Sequence, residues 1–146
     1  PYSIKINGLS GALEDLKEGI EMRGLPCDLE IFNAETLQLN EQASNMIYRT
    51  IQEITTNAVK HAKATKLFIQ LVYFHEGLNI LIEDNGTGFD LNQIQNGKGI
   101  GIKSIESRVR YLGGKIHYDS TSGHGTTVNI EIPFREGMVT SKNDEI

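Results

Sequence analysis

Leu78-Asn79-Ile80-Leu81-Ile82-Glu83-Asp84-Asn85-Gly86-Thr87-Gly88-Phe89 decides how this chain reads. Its first seven residues are rich in apolar and β-branched types, as in a strand. The strand ends in an acidic residue that runs straight into two glycines, where the backbone can turn sharply and approach a flat partner closely. Upstream, Lys66 to Phe74 reads as a second strand, joined to the first by a tight hairpin turn at His75-Glu76-Gly77. Downstream, Asn85 to Gly101 is a long glycine-containing loop, of a length that is more often functional than decorative. A helix follows from Lys103 to Leu112, closed by Gly113-Gly114. Lys115 to Ser120 and Thr126 to Ile132 then form a strand pair around a Ser122-Gly123-His124-Gly125 turn, and Pro133 ends the second strand.

Toward the N-terminus, Glu41 to His61 is the longest helix, with Met46, Ile47, Ile51, Ile54 and Ala58 as its buried stripe. Asp28 to Asn33 alternates Leu29 and Ile31 with polar neighbours, a short strand. Leu9 to Arg23 is an amphipathic helix through Leu9, Leu13, Leu16 and Ile20, stopped by Gly24 and Pro26. The order is helix, strand, helix, two strands, loop, helix, two strands. It predicts an α+β fold: a two-layer α/β sandwich with helices on one face of a mixed, mostly antiparallel sheet. Residues 1–8 read as a linker remnant, 9–134 as one domain, and 135–146 as a C-terminal tail that frays from Glu136. There is no internal repeat.

The bulk properties fit one globular unit. The chain has 146 residues, 38% hydrophobic and 23% charged, enough for a single hydrophobic core. A formal net charge of −5, with no Lys/Arg-rich run, argues against direct nucleic-acid or anionic-membrane binding. A polyanion would have to be held locally, by backbone N–H groups, a metal and a few placed cations. Cys27 is the lone cysteine, so no internal disulfide forms and a reducing, cytoplasmic setting fits. No apolar run approaches the roughly 18–20 residues that span a bilayer. No signal peptide opens the chain, and the start at Pro1 suggests a piece of a longer protein.

Four groups of residues carry chemistry. On the long helix, Glu53, Asn57, Lys60 and His61 lie along one stripe, away from the apolar one. An amide oxygen such as that of Asn57 is a hard ligand suited to magnesium, which takes its remaining ligands from phosphates and water. A carboxylate one turn away can remove a proton or orient a water. At the strand end, a buried Asp84 carboxylate accepts hydrogen bonds only, so it suits a donor such as an adenine amino group. Gly97-Lys98-Gly99-Ile100-Gly101 leads directly into a helix, whose N-terminus offers free N–H groups and a positive dipole end to an anion. Lys98 can add a point charge. The run is neither a Rossmann fingerprint, since a long loop separates it from its strand, nor a Walker A loop, which ends glycine-lysine-serine/threonine. Finally, Thr126 opens the last strand and can reach a base through its hydroxyl or a water. Taken singly, each group has a plainer reading: a solvated helix face, an Asp-Asn-Gly turn, a glycine linker, a hairpin turn.

Taken together and in this order, they resemble the GHKL ATPase superfamily of gyrase, Hsp90, MutL and the histidine kinases. Glu53 to Ala62 resembles its N box, Asp84 to Phe89 its first glycine box, Gly97 to Gly101 its second, and Gly125-Thr126 its closing element. Asn57-Ala-Val-Lys-His-Ala62, Glu106-Ser-Arg108-Val-Arg-Tyr-Leu-Gly-Gly114 and Ile132-Pro133 resemble sensor kinases of the NarX/DesK/LiaS type. The helix Leu9 to Arg23 is similar to that group's junction between dimerisation helices and catalytic domain. The resemblance spans roughly residues 8–134 and implies the Bergerat sandwich, with ATP and magnesium (Mg2+) as ligands. It also implies a role for each motif residue. Asp84 would take the adenine amino group, with Gly86, Gly88 and Thr126 completing the base site. Asn57 would coordinate magnesium, Glu53 would act as general base or water-orienting residue, and Lys60 or His61 would face the phosphates. Gly97, Gly99 and Gly101 would form the hinged part of a lid running from about Phe89 to Lys98, and Lys98 would add its charge to the phosphates.

Four histidines stand in the chain, and none has the helical setting of a phospho-acceptor. His75-Glu76 sits between two strands, His61 in the expected pocket, His117 on a strand and His124 in a turn. The acceptor is therefore expected upstream of Pro1, on dimerisation helices outside this chain, with a response regulator as the downstream partner. The piece would be a monomer and its parent a homodimer, with any membrane anchor in segments outside the chain. No His/Cys cluster has zinc spacing. A serine kinase resembling anti-sigma factors and a non-catalytic nucleotide-binding module are the alternatives.

Overall fold

In a computed structural model, residues 2–61, 63–88 and 101–141 are described. The N-terminal helix α1 spans Tyr2–Met22 and is broken by Gly8, whose backbone (φ 67°, ψ −169°) is not helical. The regular amphipathic helix thus resumes at Leu9, as the periodicity predicts, but the residues before it are helical too and bury Ile4. Leu9, Ala12, Leu13 and Ile20 are buried along one face. Helix α2 spans Glu41–His61. Asn40 starts it, its side-chain oxygen accepting the Ala43 N–H at 2.7 Å, an N-cap that satisfies a donor the helix cannot. Lys60 and His61 fall in the last turn, where positive charge opposes the helix dipole. Helix α3 spans Ile102–Tyr111. The Gly113 and Gly114 N–H groups donate to the Arg110 and Val109 carbonyls at 2.9 and 2.8 Å, the paired closure of a Schellman motif.

Strands β1 (Cys27–Phe32), β3 (Leu67–Tyr73), β4 (Gly77–Asp84), β5 (Lys115–Ser120) and β6 (Thr126–Pro133) make a five-stranded sheet in the order β1-β3-β4-β6-β5. β1 runs parallel to β3, and the other three pairings are antiparallel. The parallel pair needs a crossover, and α2 lies in it. Side chains alternate across the sheet as the pleat requires. Leu67, Ile69, Leu71, Leu78, Ile80, Ile82, Val128 and Ile130 face the helices and are buried. Asp28, Glu30, Asn79, Glu83, Asn129 and Glu131 are exposed. The core is therefore one layer between sheet and helices, the expected sandwich.

The expectation for the C-terminus fails as well. The segment from Glu136, expected to fray, instead carries strand β7 (Val139–Ser141), antiparallel to a short strand β2 (Leu37–Leu39) that the sequence reading left unassigned. Two features hold it. Met138 and Leu39 are both buried. The Asn40 side chain donates to the Gly137 carbonyl at 3.0 Å, and its backbone N–H to the Met138 carbonyl at 2.8 Å. The residue that caps α2 thus also fastens the segment after β6. Among the described residues no helix is long and apolar enough to cross a membrane.

Candidate functional site

The carboxylate end of β4 is built first. Asp84 lies opposite Thr126 in β6, and Thr126 lies opposite Ser120 in β5. Burial pushes the Asp84 carboxyl above the usual carboxylate range, while the Gly86 and Thr126 backbone N–H groups, donating to it, pull it part of the way back. The Gly86 N–H lies 2.8 Å from Oδ1. Asp84 is thus a half-buried acceptor, oriented by its neighbours and with lone pairs to spare for a ligand donor. Beside it, the Ser120 hydroxyl lies 3.2 Å from the Gly125 carbonyl and 3.0 Å from the Thr126 hydroxyl. Gly125 and Gly88 bring two loops together at glycine-only distance. Both have positive φ (85° and 70°), a Cβ on Gly125 would strike the Asp84 carbonyl, and one on Gly88 would stand 3.0 Å from the Gly125 carbonyl.

Asn85, between these residues, has a structural task. Its side-chain oxygen accepts the Thr65 and Lys66 N–H groups, both at 2.9 Å, and its amide donates to the Thr65 hydroxyl at 2.8 Å. This clamps the end of β4 to the start of β3, so the Asp84 position is set from two sides.

A second group forms between α2 and α3. Glu53 and Asn57 are half-buried one turn apart on α2, while Lys60 and His61 are exposed at its end. Glu53 forms an ion pair with Arg108 of α3, and a Cβ on Gly101, at the N-cap of α3, would collide with the Glu53 carboxylate. Tyr118 of β5 lies close enough for the Glu106 and Glu53 charges to raise its phenol further, after burial has done most of it. Gly97, Lys98 and Gly99, with the expected lid, lie outside the described residues.

The sequence-derived residues thus assemble into two groups, Asp84–Gly86–Gly88–Thr126 and Glu53–Asn57–Gly101. Residues 42–136 match the model of the "Histidine kinase-, DNA gyrase B-, and HSP90-like ATPase" family. The chain belongs to this ATPase family. Its relatives include an uncharacterized sensor-like histidine kinase of Chloroflexus aurantiacus, 30% identical over 92% of this chain and 24% of the relative. Sensor histidine kinase LiaS of Bacillus subtilis is 26% identical over 92% of this chain and 36% of its own length. The chain therefore spans well under half of these curated relatives. The histidine kinase domain of a blue-light activated histidine kinase from Erythrobacter litoralis shares the fold, with a TM-score of 0.71. It is 21% identical, over 90% of this chain and 68% of that one. As a member of the family, this is an ATP-binding domain, and the histidine kinases above carry one of the same kind.

Arg108, Ser120 and Tyr118 stand at the site without a role predicted for them from the sequence. Arg108 had a visible signal: it lies seven residues after Gly101, two turns along the same helix face.

The buried carboxylate also has a stability consequence. With its folded-state pKa lifted above the unfolded value, ionised Asp84 is disfavoured on folding. That cost is full above the raised pKa and vanishes as pH falls below the ordinary carboxylate value. Without nucleotide, Asp84→Asn is therefore expected to melt above the wild type at about pH 7, with the gap closing toward about pH 4. Thermal unfolding followed by circular dichroism across that range checks it. A variant that melts lower at neutral pH would contradict it.

Proposed function

We propose that this chain is the phosphoryl-donating domain of a two-component sensor histidine kinase. It would transfer the ATP γ-phosphoryl group to a histidine on a dimerisation helix outside these residues, from which a response regulator would take it. The observation that carries the reading is Asp84: a half-buried, backbone-oriented carboxylate at a strand end, held where Gly88 and Gly125 let two loops pack against each other.

In this reading the Asp84 carboxylate accepts the adenine amino group. Gly86 and Gly88 belong to the base site through the glycine box that follows Asp84, and Thr126 completes it through its hydroxyl or a bridging water. The half-buried amide of Asn57 has the hard oxygen that magnesium favours, with the other ligands left to phosphates and water. When bound, the ion neutralises charge building on the phosphate oxygens. Glu53, one turn before Asn57, takes the proton released as an imidazole nitrogen bonds to phosphorus, or orients a water. The bond from the γ-phosphorus to its bridging oxygen breaks, and ADP leaves with that oxygen. Lys60 and His61 face the phosphates. Gly97, Lys98 and Gly99 are assigned to the phosphates by their motif alone, and Gly101 opens α3, whose N-terminal N–H groups favour an anion. Catalysis of this kind rests on positioning and charge neutralisation.

The parent would be a homodimer through its dimerisation helices, with this domain in the cytoplasm. The test is γ-labelled ATP supplied to the longer protein that carries those helices. The reading expects label in an acid-labile, base-stable linkage to histidine, and none on this chain alone. Label on serine would replace the reading with an anti-sigma-like serine kinase. ATP bound without any label would leave a non-catalytic nucleotide-binding module.

A further inference from the structure

Arg108 belongs to the last turn of α3, remote from the end where a helix attracts anions. Long helical side chains lean toward the N-terminus of their helix, so its guanidinium reaches back along α3 toward Gly101. There Nη1 pairs with Oε2 of Glu53. The other carboxylate oxygen, Oε1, lies against Gly101, where even a methyl group would displace it and would stand 3.1 Å from the carboxyl carbon. A single carboxylate is thus fixed on one side by a cation and on the other by bare backbone. Both side chains of the pair keep about a quarter of their surface exposed, 27% for Arg108 and 28% for Glu53. Glu53 is directed but not sealed off. The pair joins α2 to α3 beside Gly101, so its geometry bears directly on the direction in which the Glu53 carboxylate faces.

We infer that Arg108 is the positioning residue of Glu53: the guanidinium sets the direction of the carboxylate that faces the transferred proton, and Gly101 leaves it room. This rests on the role given to Glu53 above. It differs from a direct phosphate contact, in which Arg108 would have to leave Glu53 for the nucleotide.

The experiment compares Arg108→Gln, Arg108→Lys, Glu53→Gln and the Arg108→Gln/Glu53→Gln pair in the full-length kinase. It reads the Kd for ATP with magnesium and the rate of phosphohistidine formation at saturating ATP. Arg108→Gln should lower the rate on the order of ten- to hundredfold while leaving the Kd within about threefold of wild type. Arg108→Lys, which keeps the charge but not the fork, should recover part of the loss. The double variant should be no slower than Glu53→Gln alone, since two residues that act as a unit do not add. An unchanged rate in Arg108→Gln would overturn the inference, as would a double variant slowed by the product of the single effects. A Kd that rises in step with the rate loss would overturn it too, by making Arg108 a nucleotide ligand. If Arg108→Gln does not fold, Arg108→Lys with and without Glu53→Gln decides by the same non-additivity. Wild-type protein that binds ATP but forms no phosphohistidine would defeat the functional reading itself, before any Arg108 variant is compared.

Discussion

Asp84→Asn is expected to weaken binding of ATP with magnesium about ten- to hundredfold in a calorimetric titration, because a charge-assisted hydrogen bond contributes about 1.5–3 kcal/mol. The carboxylate already accepts from the Gly86 and Thr126 N–H groups, and it keeps acceptor capacity for one more donor. An asparagine can keep one of those backbone bonds, but its amide group points a donor where an acceptor is needed. Donor would then meet donor at the adenine amino group. The same substitution removes the burial cost of the charge, so weaker binding would come with a higher melting temperature in the free protein. Both shifts in the same variant would separate a binding residue from a merely structural one. An affinity that did not change would remove Asp84 from the adenine site.

Glu53→Gln should leave nucleotide affinity within about threefold and lower phosphohistidine formation on the order of a hundred- to ten-thousandfold, the usual worth of a positioned acid–base group. Glutamine matches glutamate in size, so the contact with Gly101 survives, while the charge that pairs with Arg108 is lost. The rate is read as initial incorporation of label at saturating ATP in the protein that carries the acceptor histidine. A loss of only a few-fold would assign Glu53 to ordering water rather than to removing a proton.

Much of this arrangement was legible in the sequence because local signals agreed with the global fold. Helix α2 begins and ends where expected, at Glu41 and His61, since a capping Asn40 precedes it and an uninterrupted apolar stripe runs along it. Strand β5 also keeps its expected bounds, Lys115–Ser120, between a glycine pair and a turn. The failures share a cause. Strands β2 and β7 are three residues each and lie about a hundred residues apart, too short for a pattern and too distant for a local signal. The first turns of α1 bury Ile4 ahead of a glycine that reads as a break. At the site, the glycine-flanked motif residues stood out because glycine at a strand end is informative by itself. The Glu53–Arg108 pair crosses 55 residues and appears only when α2 and α3 are packed side by side.

The central claim is that Asp84, Gly86, Gly88 and Thr126, with Glu53, Asn57 and Gly101, form one nucleotide site. It is tested most directly by titrating ATP with magnesium into the isotope-labelled chain and following its backbone amide resonances. The account predicts the largest shifts at Gly86, Gly88, Asn57, Gly101 and Thr126, with smaller ones on the exposed sheet face carrying Glu30, Asn79 and Asn129. Saturable shifts confined to that open face, with the amides at the end of β4 unmoved, would contradict it.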